Sequence, residues 1–287
     1  MSAEIGIFPG KHVDKHVIPK SIEELKQAGF TPIILKRNSP ALTDDMIAVM
    51  AIGGDGTVRK GAQALVDTQR NVPLCIMPNG TNNVTFHDVC KTGLVIHLSD
   101  LHDRLTDGQE IGLRVYPGMT NNIVFTVDAI FGCCGRMLPE YNKKLRRHVP
   151  SSVRRPFSAA LTLWHALRSM HSDELLLDLY TISGFFGHNK LFPDQNINDE
   201  NITNLRIDSG NLRRLAMLGL GMIALGLGIP QMLEQIPWEQ KHMFETNYSV
   251  TDFSANGSRL TQPQNTVKIY RSASPIHIVA VSPNPSC

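Results

Sequence analysis

The stretch "AIGGDGTVRK", residues 51–60, closes the apolar run "MIAVMAI" and opens the helical pattern "VRKGAQALVDTQ". A strand that turns into a helix through Gly53, Gly54 and Gly56 leaves backbone amides unpaired at the positive end of the helix dipole. Such a turn accepts anions, and its glycines let a phosphate approach the backbone closely. Asp55 stands in the middle of it. A carboxylate beside a polyphosphate is repelled unless it meets Mg²⁺, a hydroxyl or a proton to accept. On its own the stretch fits an ordinary tight turn equally well.

A second loop repeats the arrangement. In "VPLCIMPNGTNN", residues 72–83, an apolar strand runs to Met77 and is followed by Pro78, Asn79, Gly80, Thr81, Asn82 and Asn83. Two such loops at the carboxyl ends of neighbouring parallel strands face one crevice, the place where open α/β sheets bind ligands. Upstream, "EIGIF" and "TPIILK" read as strands. "SIEELKQAG" reads as a helix that opens on a Ser21/Glu24 capping box and stops at Gly29. Strands alternating with helices predict a parallel sheet with covering helices, an α/β domain over residues 1–105.

From about residue 110 the pattern changes. "EIGLRVY" alternates with period two, and "NIVFTVDAIF", "ELLLDLYTIS", "NLRID", "NYSVTDFSA", "NTVKIYR" and "IHIVAVS" follow as short apolar runs between polar turns. This predicts a mainly β carboxyl-terminal domain, an antiparallel sandwich or barrel, over residues 106–287. Within it "FSAALTLWHALRSM" places Phe157, Ala160, Leu161, Trp164, Leu167 and Met170 at helical spacing, a core-facing stripe.

Composition narrows the function classes. The 287 residues are 42% hydrophobic and 19% charged, and 28 basic against 26 acidic side chains leave a net charge of +2. That balance carries no signature of a nucleic-acid partner. Five cysteines, Cys75, Cys90, Cys133, Cys134 and Cys287, show neither zinc pairs nor a disulfide framework, which fits a cytoplasmic setting. The amino terminus lacks a signal-peptide pattern. The apolar stretch Leu215 to Pro230 is shorter than the roughly 18–20 residues a bilayer span needs. His87 and His97 read as structural, and no histidine spacing suggests zinc.

"GGDGT" followed some twenty residues later by "PNGTNN" resembles the catalytic domain of the diacylglycerol kinase, sphingosine kinase and bacterial lipid kinase superfamily. "NNIVFTVDAIFG", "FPDQNINDENI" and the run from "FSANGSRL" to "IVAVSP" are similar to its later segments. The resemblance implies a Rossmann-like nucleotide domain followed by a β-sandwich lipid-substrate domain, with the nucleotide cleft between the two. It further implies a kinase that uses ATP and Mg²⁺ to phosphorylate a hydroxyl of a diacylglycerol-like or long-chain-base lipid, working as a peripheral protein at the cytoplasmic membrane face. Carried over by position, Gly53, Gly54, Asp55, Gly56, Thr57, Gly80, Thr81 and Asn83 surround the nucleotide. Asp55 is the catalytic carboxylate, and Asp199 matches the aspartate of the magnesium site. Asp199 also reads as a solvated turn residue.

Several positions depart from the superfamily pattern. Its amino-terminal N-P-x-S-G loop is represented by "FPGKH", and the polar residue and glutamate after GGDGT are Arg59 and Lys60. Val84 follows Asn83 where an aspartate is usual. The D-G-E turn that supplies a proposed general base reads Asn256-Gly257-Ser258, which is also a type I′ hairpin signal. Arg59 and Lys60 either neutralise phosphate charge or form a solvated first turn. Lys143, Lys144, Arg146, Arg147, Arg154 and Arg155 cluster before the amphipathic helix, as a surface for anionic lipid headgroups or as a solvated face. Two alternatives stand beside the kinase: a catalytically impaired homologue that binds nucleotide or lipid, and an NAD kinase. The assembly is left open, with a homodimer as one form.

Overall fold

A computed structural model describes the chain except for residues 1–2, 12, 37–41, 81–82, 108–110, 146–160, 163–167, 169–174, 187–188, 191, 193–194, 209–237, 249–251, 257, 262–265 and 283–287. Two compact units divide it. The first is Met1–Pro117 with Ile197–Asp199 and Ser272–Cys287, and the second is Gly118–Asn196 with Glu200–Arg271.

The first unit begins β1 (Ala3–Pro9), α1 (Val17–Gln27), β2 (Phe30–Ile34), β3 (Met46–Gly53), α2 (Asp55–Thr68) and β4 (Leu74–Pro78). It continues with α3 (Val84–Lys91), β5 (Val95–His97), α4 (Leu98–Thr106) and β6 (Leu113–Val115). The second unit contains β7 (Gly118–Thr120), β8 (Ile123–Phe125), β9 (Asp128–Phe131), α5 (Gly132–Leu145), β10 (Leu175–Thr181), β11 (Phe185–Phe186) and β12 (Asn189–Lys190). It then runs through β13 (Ile202–Asp208), β14 (Glu239–Lys241), β15 (Met243–Asn247), β16 (Asp252–Ala255), β17 (Ser258–Thr261) and β18 (Thr266–Arg271). The last strand, β19 (Ile276–Ser282), returns to the first unit.

The sheet of the first unit has the order β2-β1-β3-β4-β19-β5 with every pair parallel, and β6 adds antiparallel to β19. Strands buried on both faces need near-continuous apolar sequence. β3 meets this with Ala48, Val49, Met50, Ala51 and Ile52 all at 0% exposure. Ile5, Ile7, Met50, Ile52, Val279 and Val281 pack into one cluster with Leu25 of α1 and Leu98 and Leu101 of α4. α2 lies against β1, β3 and β4, with Gly61 passing so close to Leu74 that a Cβ would come within 2.7 Å of its Cδ1.

Two sequence expectations are corrected here. The domain assignment 1–105 and 106–287 becomes a split at Pro117, with "IHIVAVS" in the first sheet. The run 276–282 is buried along most of its length and pairs parallel with β4 and β5, as a central strand of a covered sheet does. α1 begins at Val17, not at Ser21. Pro19 falls in its first turn, where no amide partner is missed, and Ser21 is buried with its hydroxyl donating to Met77 Sδ at 3.4 Å.

The second unit is mainly β. A six-stranded antiparallel sheet runs β14-β13-β10-β9-β16-β17, and a four-stranded one runs β15-β18-β7-β8. Phe131 is stacked between Tyr248 at 4.4 Å and Phe253 at 4.8 Å. Among the described residues no helix is long and apolar enough to cross a membrane. The stretch 215–230 lies outside the described residues, as do Phe157, Ala160, Trp164, Leu167 and Met170 of the expected stripe.

Candidate functional site

β1, β3 and β4 lie side by side and parallel, so the loops that follow them emerge at one edge of the sheet. Backbone hydrogen bonds tie the loops together. Gly10 N donates to Ile52 O at 2.8 Å, and Asn79 N donates to Gly53 O at 3.0 Å. The approach is closer than side chains allow. A Cβ on Gly80 would stand 2.3 Å from Gly54 Cα and 2.8 Å from Gly54 N, and one on Gly53 would stand 3.2 Å from Gly10 Cα. Glycine is required at these positions for backbone contact rather than for positive φ. Gly10, in the loop "FPGKH", is a member the sequence reading passed over; the Pro-Gly pair after a strand was the available signal.

Gly54 caps α2 with extended backbone, its carbonyl accepting from Thr57 N at 2.7 Å and Val58 N at 3.2 Å. Gly56 follows in the first turn. The Thr57 hydroxyl reaches over Gly53 and Gly10: a Cβ on either glycine would come within 2.5 or 3.1 Å of its Oγ1. In the second loop Asn83 takes a left-handed conformation, φ 51 and ψ 41, as α3 begins. Its Oδ1 accepts from Gly80 N at 3.0 Å and its Nδ2 donates to Gly80 O at 3.1 Å. Asn83 therefore staples the loop shut on Gly80. Thr81 lies outside the described residues.

Asp55 joins the two loops. Its Oδ2 accepts from Val84 N at 3.1 Å, and its Oδ1 accepts from Thr85 N at 2.9 Å and from the Thr85 hydroxyl at 3.1 Å. A carboxylate at the start of α2 thus caps the start of α3, pairing its charge with the positive ends of both helices. This is the geometry of a clamp.

Arg59, one turn further along α2, is 7% exposed, so the solvated-first-turn reading of this residue is set aside. Its Nε has no hydrogen-bond partner, and burial alone pushes the guanidinium pKa down. The histidines are structural: His97 caps α4 by accepting from Ser99 N, and His87 packs edge-on against Phe86.

Asp199 sits in a polar turn after the buried Ile197. Among the described residues no group of three or more His, Cys, Asp or Glu side chains is arranged to hold a metal. Lys143 and Lys144 are exposed at the end of α5, while Arg146, Arg147, Arg154 and Arg155 lie outside the described residues.

In the second unit, β16 and β17 form a hairpin that pairs Ala255 with Ser258, and Asn256 follows β16 at its tip. Asn256 has φ 48, as the first position of a type I′ turn requires. Its Oδ1 accepts from Thr126 N and Val127 N, each at 3.1 Å, and its Nδ2 donates to Thr126 Oγ1 at 2.6 Å. The turn is occupied structurally. The carboxylate beside it is Asp128, buried at 6% exposure, whose carbonyl accepts from Asn256 N at 3.0 Å. Sequence reading missed this residue, since an aspartate inside an apolar strand was its only signal.

Known proteins resemble this chain in sequence and in fold. Residues 12–113 match the family model of the diacylglycerol kinase catalytic domain. Diacylglycerol kinases of two Staphylococcus epidermidis strains are 24% identical over 233 residues, covering 72% of this chain and 69% of theirs. The fold is shared with solved structures from Bacillus anthracis str. Sterne. A diacylglycerol kinase aligns over 99% of this chain and 98% of its own at 13% identity and TM-score 0.63, and a putative diacylglycerol kinase aligns over the same shares at 12% identity and 0.57. Residues 12–113 are thus similar to the diacylglycerol kinase catalytic domain, and the chain as a whole shares the fold of those solved structures.

Proposed function

We propose that the protein is an ATP-dependent lipid kinase that transfers the γ-phosphoryl group to a hydroxyl of a diacylglycerol-like or long-chain-base lipid at a membrane surface. One observation carries the reading: Asp55 ties the starts of α2 and α3 together beside a glycine contact too close for any side chain. Two helix amino termini held side by side direct two positive dipole ends at one anion.

In the reaction the lipid oxygen bonds to the γ-phosphorus as the bond to the ADP oxygen breaks, and the hydroxyl proton is released. Transfer of this kind depends mainly on positioning and charge neutralisation. The glycine loops supply the positioning, and Asp55 holds them in register. Mg²⁺ would supply charge neutralisation to the phosphates when bound. Asp55 is a poor direct ligand for it because both carboxylate oxygens already accept hydrogen bonds. Asp199 is the remaining candidate. A missing general base at Ser258 lowers the rate by a factor of ~10² to 10⁴ without abolishing the chemistry.

A second reading, a nucleotide- or lipid-binding module without turnover, is favoured by the same engagement of Asp55 and by the structural use of Asn256. Purified protein titrated with ATP and then offered a lipid panel separates the two. Saturable ATP binding with phosphorylated lipid supports the kinase; saturable binding with no product supports the module.

A further inference from the structure

Arg59 poses a problem that the fold itself leaves unsolved. A guanidinium withdrawn from water is expensive unless an anion compensates it. Asp88 and Asp178, buried to a similar degree, each have their compensation. Asp88 pairs with Lys91 at 3.6 Å; Asp178 accepts from Tyr248 at 2.9 Å and Tyr180 at 3.1 Å, with Arg206 at 3.6 Å. Among the described residues Arg59 has no such counterpart: its Nε is unpartnered, and burial alone shifts its pKa.

Its place in the helix says what the missing partner is. Residues four apart share a helix face, so Arg59 lies on the stripe of Asp55, and helical side chains lean back over the preceding turn. That turn is the glycine cradle. Thr57 and Val58 are already bonded to Gly54 O, and Asp55 is committed to α3, so the cradle holds no anion of its own to offer the guanidinium.

We infer that Arg59 is a specificity-determining residue of the nucleotide site, a built-in counter-charge for the phosphate chain that lets the cradle grip a polyphosphate with reduced dependence on Mg²⁺. The inference rests on the nucleotide reading of that cradle and adds its charge preference. A planar guanidinium offers two parallel donors to phosphate oxygens, a geometry that lysine does not reproduce.

The test measures binding of ATP and of inorganic tripolyphosphate by calorimetry, with and without Mg²⁺, in the full-length wild type, Arg59→Met and Arg59→Lys, with melting of each ligand-free protein. Wild type is expected to bind tripolyphosphate without Mg²⁺. Arg59→Met should weaken that binding at least tenfold while melting at the wild-type temperature or above, because an unpaired buried charge has been removed. Arg59→Lys should fall between. Wild-type affinity for tripolyphosphate in Arg59→Met overturns the inference, and should that variant not fold, wild-type affinity in Arg59→Lys does so. The two readings fail separately. ATP binding that ignores Arg59 sinks the inference and leaves the nucleotide site standing; Arg59-dependent tripolyphosphate binding without ATP binding does the reverse.

Discussion

Replacing Gly80 by alanine probes the contact on which the cradle is built. The added Cβ would sit 2.3 Å from Gly54 Cα, 2.8 Å from Gly54 N and 2.7 Å from Asn83 Oδ1. Ordinary contact between carbons begins near 3.5 Å, so the two loops must separate by about 1 Å. No rotamer relieves the clash, because two of the three atoms are backbone. Overpacking of this kind costs about 1–3 kcal/mol, which for a protein of this size lowers the melting temperature by roughly 2–12 °C. The functional cost is larger in proportion: a displacement of ~1 Å at a site that works by positioning reduces turnover about 10²-fold. The assay is paired, thermal melting and lipid phosphorylation, with Gly93→Ala as control, since nothing lies within 4 Å of a Cβ there. The control carries its own strain from a φ of +77, so it calibrates backbone cost without loop separation. A Gly80→Ala protein with wild-type ATP affinity would refute the argument that this contact shapes the site.

Other consequences are open to measurement. Asp55→Asn removes the charge from three hydrogen bonds to α3 and turns an amide donor toward backbone N–H groups. It should cost about 2 kcal/mol and weaken ATP binding along with turnover; loss of turnover at unchanged stability and ATP affinity would identify Asp55 as a purely chemical group. Asn256→Ala forfeits a left-handed turn residue and its bonds to Thr126 and Val127, so the second unit should lose about 2–4 kcal/mol in denaturant unfolding, and a smaller loss than Ser258→Ala would contradict the structural account of that turn. Burial raises the Asp178 pKa against the pull of its donors, so the folded state binds this proton more tightly than the unfolded chain does. Stability from this group is therefore highest at low pH and declines as pH rises through the folded pKa. The difference between wild type and Asp178→Asn should grow in the variant's favour over that range, and a difference independent of pH would contradict the assignment. Cys75 and Cys134, pushed up to about 12 by burial, should resist alkylation at pH 8 in the native protein, as read by mass spectrometry.

The nucleotide half of the fold could be read in the sequence because its signals are local. Glycine-rich turns after apolar runs located β3, α2 and β4 to within three residues, and the Asn-Gly pair in the sequence announced the hairpin of β16 and β17. What escaped was non-local. β19 joins β4 and β5 across roughly two hundred residues of chain, and only its nearly unbroken apolar run distinguishes it from the strands of the second unit. Within the site the residue types were visible and their partners were not. Asp55 reads as a catalytic acid until the start of α3 is placed against it, and Arg59 reads as solvated until its burial is seen.

Transfer of label from γ-labelled ATP to lipid in mixed vesicles containing diacylglycerol and a long-chain base, with Mg²⁺, tests the central claim most directly. Labelled lipid should form with the wild type and fall about a hundredfold with Gly80→Ala. Saturable ATP binding with no labelled lipid from either protein would contradict the account and leave a binding module in its place.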